Sequence, residues 1–220
     1  MNDALQGIAL DPKSPLRGKR ILFLGSSVTY GVEPGGISFV EFLAARTGCF
    51  ARKEAVSGTT LCDVDDQSYV ARLRRLDPDL TFDAALVQLS TNDVGRGHPL
   101  GTPIGPGAVG YDPSTVAGAI ETIVDRIFRV YRCPVFFYVG TRFPEPRYGA
   151  MVELLWNIAK RWGIGVVDLW NDPVMNAVDP ADRDRFMADG VHPTLTGYVE
   201  WWGPRIEAAL IRLLGEAASR

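Results

Sequence analysis

Arg20-Ile21-Leu22-Phe23-Leu24-Gly25 is a short, nearly continuous apolar run that closes on a glycine, and Ser26-Ser27-Val28-Thr29-Tyr30-Gly31 follows at once. A run this short, without polar alternation, suits a strand buried on both faces of a parallel sheet. Similar runs recur at residues 83–89 (DAALVQL), 134–139 and 164–169, and residues 50–56 read as a further strand. Helical periodicity fills the intervals. Ser38 caps a helix over 38–47 with Gly48 as its stop. Further helices are predicted over 65–76, 114–131 and 148–162. The last runs over 196–214, where Gly203-Pro204 must kink or interrupt it. Strands alternating with helices predict an open parallel sheet covered on both faces.

The chain has 220 residues, enough for one domain with a substantial core. Residues 1–19 carry Pro12, Pro15 and Gly18 and read as an N-terminal arm. Residues 20–220 read as a single catalytic domain. Net charge is −3, and no basic cluster exceeds Arg72-Leu73-Arg74-Arg75, which reads as a solvated helix face. A reader of phosphate backbones needs a positive surface, so no nucleic-acid partner is expected. Cys49, Cys62 and Cys133 are odd in number and lack metal-ligand spacing, so reduced thiols are expected. No segment is apolar enough for a signal peptide or a membrane span. A cytoplasmic protein without membrane partners is the expectation.

In open parallel sheets, functional residues gather where strands end. Three strands deliver small or polar residues to one edge: Gly25-Ser26-Ser27, Ser57-Gly58, and Ser90-Thr91-Asn92-Asp93. Ser27 is a candidate nucleophile, and a serine needs a base to lose its proton at neutral pH. Histidine occurs twice, at His98 and His192. His192 stands three residues after Asp189, within reach of a carboxylate that can fix its tautomer. His98, between Gly97 and Pro99, reads as a loop histidine without a partner. The Gly58 N–H and the Asn92 side-chain amide are candidate oxyanion donors. Neither a phosphate-binding glycine motif nor the Gly-x-Ser-x-Gly elbow is present around Ser27. The long irregular stretch over 90–112, rich in Gly and Pro, is expected to border the cleft.

Taken together, these segments resemble the SGNH hydrolases, also called the GDSL esterase/lipase superfamily. Gly25 to Gly31 matches the first sequence block of that family, with Ser27 in the nucleophile position. Gly58 falls on the second block and Asn92 on the third. Asp189-Gly190-Val191-His192-Pro193 matches the last block without a change. Ser26 stands where the family usually has Asp, and Ser90 where it usually has Gly. The resemblance implies a three-layer α/β/α, flavodoxin-like sandwich with about five parallel strands. It also implies acyl-enzyme hydrolysis by Ser27, His192 and Asp189. Ser27 N–H, Gly58 N–H and Asn92 would form the oxyanion hole, and neither a metal nor an organic cofactor is required. The 94–111 loop offers few large apolar side chains and no amphipathic lid. That favours short acyl groups, acetyl above all, on a small or carbohydrate alcohol. Lysophospholipase, thioesterase or acyltransferase chemistry at the same site is the alternative, and a non-catalytic binding module is a further one.

Overall fold

In the computed structural model, residues 5–219 are described. Five strands are present: β1 (Arg20–Gly25), β2 (Phe50–Ala55), β3 (Ala84–Gln88), β4 (Val135–Val139) and β5 (Gly165–Asp168). They form one all-parallel sheet in the order β2-β1-β3-β4-β5. β3 and β4 are buried throughout, and so is β1 beyond Arg20, as their unbroken apolar sequences require. β2 carries Phe-Ala-Arg-Lys-Glu-Ala and is largely exposed, which suits an edge strand.

Among the described residues, eight α-helices surround the sheet: α1 (Ser27–Tyr30), α2 (Phe39–Thr47), α3 (Tyr69–Arg75), α4 (Asn92–Gly95), α5 (Val116–Arg126), α6 (Pro146–Trp162), α7 (Pro180–Phe186) and α8 (Gly203–Ala218). α3, α5 and α6 bury Leu73, Ile123 and Leu155 against one face of the sheet. α2 and α8 bury Phe39, Leu43, Ile206 and Leu210 against the other, together with Leu16 from the N-terminal segment. The result is the three-layer α/β/α architecture. No helix among the described residues is long and apolar enough to cross a membrane. The three cysteines are free and buried.

Several helices differ from the sequence expectation for local reasons. α3 begins at Tyr69, because residues 65–68 are spent on a turn in which Asp65 accepts the Gln67 N–H and Ser68 caps Ala71. α5 ends at Arg126 and continues as a π-helical turn over Ile127–Tyr131. A second π turn, Gly197–Trp202, precedes α8 where Gly203-Pro204 interrupts the helix. α7 buries none of its residues and rests on an Asp179 cap with Pro180 in its first turn, so it shows no apolar period.

Two sequence expectations are corrected by packing. Within Arg72-Leu73-Arg74-Arg75, Arg74 and Arg75 face solvent but Arg72 is only 6% exposed. It lies on the inward stripe of α3 with Tyr69 and Leu73. The long loop leaves the C-terminal edge of the sheet after about residue 98. The buried Glu121 carboxylate of α5 accepts the Ile104 and Gly105 N–H groups and the indole N–H of Trp162. Trp162 ends α6, at the opposite end of the sheet from Ser27. Leu100 and Tyr111 pack on the core instead of facing a cleft.

Candidate active site

Chain order reverses between β1 and β3, which opens a crevice beyond their C-terminal ends. β1 delivers Ser27 there. A Cβ at Gly25 would stand 1.8 Å from Thr29 Oγ1 and 2.8 Å from Gln88 Oε1, so only glycine lets the turn fold back this closely. Gln88, the last residue of β3, pins that turn. Its Oε1 accepts from Ser26 N (2.9 Å), Thr29 N (3.2 Å) and Thr29 Oγ1 (2.8 Å). Arg72 pins it from the other side. Its guanidinium donates to the carbonyls of Gly25 (2.7 Å), Glu54 (2.6 Å) and Gln67 (2.9 Å), and to Thr59 Oγ1 (3.2 Å). Burial pushes the Arg72 pKa below the usual guanidinium value. Sequence reasoning missed both residues. The one signal for Gln88 was a polar side chain closing the apolar run DAALVQL.

Ser27, His192 and Asp189 come together although 165 residues separate Ser27 from His192. Ser27 Oγ lies 2.8 Å from His192 Nε2, and His192 Nδ1 lies 2.7 Å from Asp189 Oδ2. The other Asp189 oxygen accepts the N–H groups of Val191 (2.6 Å) and His192 (2.7 Å). Burial opposes ionisation of Asp189. The hydrogen bonds from the His192 ring and from these two backbone groups outweigh it and hold the carboxyl below its ordinary pKa. Asp189 is thus an anion that fixes Nδ1 as the protonated nitrogen and leaves Nε2 to accept from Ser27. The His192 turn itself is closed by a bridge between Met187 and Pro193 and by Ala188 N–H donating to His192 O (2.9 Å).

Gly58 and Asn92 stand on the neighbouring loops. Gly58 has φ +79°, with open space where a Cβ would sit. Arg96 donates to its carbonyl at 2.8 Å. Asn92 Nδ2 donates to Thr59 O at 2.8 Å, which ties the third-strand loop to the second-strand loop and leaves the second amide hydrogen uncommitted to that bond. Ser90 joins the same knot, its hydroxyl reaching Thr59 O at 3.3 Å and accepting from Asn92 N at 3.1 Å.

His98 does have a partner, contrary to the sequence reading. Its Nδ1 lies 2.9 Å from Asp93 Oδ1. The fully buried Asp93 also accepts the N–H groups of Leu61 (2.8 Å) and Cys62 (3.1 Å). Cys62, Asp93 and His98 offer three metal-capable atoms within 4.8 Å of one another. Burial and then the Asp93 charge push the Cys62 thiol well above its ordinary pKa, so it stays protonated. With the Asp93 oxygens engaged by N–H donors, hydrogen bonding accounts for the cluster: it buttresses the loop behind Gly58 and Asn92.

A small recess opens beside these groups. Val28, Thr91 and Val191 line it, and each is the chain neighbour of Ser27, Asn92 or His192. Thr141, Phe143 and Trp202 are among the other residues of its wall. Its volume is about 10 Å³, room for about one water-sized group.

Sheet, crevice and side chains together fit the class of hydrolases built on an open parallel sheet. The chain belongs to the GDSL-like lipase/acylhydrolase family, whose sequence profile matches residues 23–199. No curated protein sequence matches it. Solved structures extend the likeness at the level of fold. A protein from Lactobacillus plantarum superposes with a TM-score of 0.74 at 20% identity, covering 91% of this chain and 98% of that one. A candidate GDSL-like lipase from Bacteroides ovatus gives 0.62 at 20% identity, covering 89% and 99%. A family two carbohydrate esterase from Clostridium thermocellum, solved with cellohexaose, gives 0.61 at 17% identity, covering 94% and 67%. Membership in this family makes the chain a hydrolase of the lipase/acylhydrolase type.

Proposed function

We propose that this protein is a carboxylic-ester hydrolase for short, acetyl-sized acyl groups on a polar, carbohydrate-like alcohol. One observation carries the reading: the continuous hydrogen-bond chain Ser27 Oγ–His192 Nε2–Asp189, at 2.8 and 2.7 Å. In this reading His192 takes the Ser27 proton as Oγ attacks the ester carbonyl. Ser27 N–H, Gly58 N–H and the free Asn92 amide hydrogen receive the developing oxyanion. The intermediate collapses, and the alcohol leaves with the proton from His192. Water, deprotonated by His192, then cleaves the acyl-serine and restores the site.

A long chain needs a continuous apolar groove, worth about 0.8 kcal/mol for each buried methylene. Leu100 and Tyr111, two of the large apolar side chains of the 94–111 loop, pack on the core instead of lining one, which supports a short acyl group. The alcohol side is polar: Arg96 borders Gly58, Arg142 follows Thr141, and Arg147 donates to His98 O. The cellohexaose-bound carbohydrate esterase of the same fold adds weight to a hydroxyl-rich alcohol.

The test is kcat/KM over a p-nitrophenyl ester series from acetyl to long chain, followed by acetylated sugars. The expected result is a maximum at acetyl and acetate release from the sugars. A specificity constant that keeps rising beyond about eight carbons, each methylene adding burial energy, would overturn the short-acyl reading.

A further inference from the structure

Gly58 sits at the tip of a tight turn. Thr59 N–H and Thr59 Oγ1 both donate to Val56 O, at 3.4 and 2.7 Å. Gly58 takes the third place of that turn with φ +79°, the left-handed conformation that a type II turn requires there. The two ends of the turn are held from the interior. Val56 N–H donates to Gly25 O at 3.3 Å, and the hydroxyl of buried Thr59 accepts from Arg72 Nη2 at 3.2 Å. The tip, Ser57 and Gly58, is exposed. Among the described residues, Ser57 makes no hydrogen bond, and Gly58 makes one, through its carbonyl. The Gly58 N–H is left unspent. Glycine adopts either sign of φ with ease, so Gly58 does not by itself fix where that N–H points.

The one bond comes from Arg96, whose Nη2 donates to Gly58 O at 2.8 Å. Arg96 also closes α4, its N–H donating to Asn92 O at 2.9 Å. Asn92 and Arg96 are therefore four residues apart on one helical turn, a spacing that puts both side chains on the same face. Asn92 Nδ2 takes Thr59 O, and Arg96 Nη2 takes Gly58 O, each at 2.8 Å. A single turn of helix thus grips two consecutive carbonyls, one with each of its ends. The second contact of the Arg96 guanidinium is looser, with Asp65 Oδ2 3.6 Å from Nη1. Exposed ion pairs of that kind contribute little to stability.

We propose that Arg96 is a positioning residue of the oxyanion hole, holding Gly58 so that its N–H converges with the Asn92 amide on the oxygen of the acyl group. This rests on the reading of Gly58 N–H and Asn92 as oxyanion donors. Arg96 acts through Gly58 and not on the reacting atoms. A donor stabilises the transition state only if it already stands at about 2.7–3.1 Å from the place the oxyanion will take. Without Arg96 the tip swings freely and must be ordered again at each turnover. The loss falls on kcat more than on KM, because the oxygen gains its full charge only in the transition state.

The test measures kcat and KM on one acetyl ester in the parent protein, Arg96→Met, Arg96→Lys and Asn92→Ala. The Ki of a trifluoromethyl ketone, whose adduct with Ser27 carries an oxyanion, is measured beside them. In Arg96→Met the expected result is a fall in kcat of about tenfold, less than the loss of a whole donor, with KM within about twofold of the parent. Ki should rise by the factor that kcat/KM falls. Arg96→Lys, which keeps a charged donor, should recover most of the rate. The melting temperature of Arg96→Met should stay within about a degree or two of the parent, as for other surface changes. A role in folding alone would lower the melting temperature and leave kcat and Ki in place. Unchanged kcat and Ki in Arg96→Met, with rate lost in Asn92→Ala, would overturn the proposal and leave the oxyanion reading intact. A change confined to KM would also overturn it, and make Arg96 a contact to the alcohol. An unchanged kcat in Asn92→Ala as well would bring down the oxyanion reading, and this proposal with it.

Discussion

The turn that carries Ser27 and the turn that carries His192 meet at one hydrogen bond but are built on opposite principles. Residues 26–29 are buried and held by partners far away in sequence: Gln88, Arg72, and Tyr198, whose hydroxyl donates to Val28 O at 2.7 Å. The 186–194 segment stands at the surface. The Asp189 side chain is 52% exposed and that of His192 24% exposed, and their bonds outside the site run to residues a few positions away. The core therefore sets the position of Ser27, whereas a self-contained turn sets the position of His192. Damage to the first arm should cost stability as well as rate. Damage to the second should cost mainly rate, with only a small effect on stability.

The largest expected effect is on the shared bond. Ser27→Ala should lower ester kcat/KM by about 10⁴-fold or more, leaving what binding and the oxyanion donors supply. Ser26→Ala should be far milder. The reverse ranking, measured on one ester, would mean the wrong serine has been assigned.

Asp189→Asn tests the exposed arm. Asparagine keeps the acceptor for the Val191 and His192 N–H groups but loses the charge that orients the imidazole. The expectation is a loss of about 10²–10⁴ in kcat with a melting temperature within a degree or two of the parent, since surface changes usually shift stability by less than about 0.5 kcal/mol. A large drop in melting temperature would erase the contrast between the arms. Asn92→Ala should lower kcat by about 10²–10³, with a smaller change in KM. A change confined to KM would make Asn92 a uniform binding contact.

Arg72→Met tests the buried arm. It strands the Gly25, Glu54 and Gln67 carbonyls, and a cost of about 2–4 kcal/mol in unfolding free energy is expected from denaturant titration. Rate should fall as well, because Gly25 precedes the serine turn. A variant as stable as the parent would show that Gln88 and Tyr198 hold the turn unaided.

The smallest effect concerns pH. Asp189 has a native pKa below its unfolded value. Its contribution to stability is therefore present above the ordinary carboxylate range, at about pH 4. It is lost as pH falls through the depressed native value. Asp189→Asn should flatten the acid limb of the melting-temperature profile. A limb identical to that of the parent would mean that other carboxylates dominate it.

The sheet was legible because β1, β3 and β4 are apolar runs too short for helices, and burial on both faces leaves that mark in any sequence. The grouping of the candidate site was legible where residues are rare: two histidines in the chain, one of them three residues after an aspartate. Its supports were not. Arg72 reads as one more arginine on a charged helix until the fold turns that face inward. His98 and Asp93 are five residues apart, yet only the α4 turn brings ring and carboxylate to 2.9 Å. The Gly- and Pro-rich loop looked like a cleft border, and it was the buried Glu121, on a helix 16 residues further on, that drew it away. α7 was invisible because a helix that buries nothing has no apolar period.

The central claim is that His192 activates Ser27 for covalent acyl transfer. Labelling with a fluorophosphonate, followed by intact-mass and peptide mass spectrometry, tests it most directly. The account predicts one adduct per chain, on Ser27, absent in Ser27→Ala and formed much more slowly in His192→Ala but not in His98→Ala. An adduct on another residue, or labelling at the parent rate in Ser27→Ala, would contradict it.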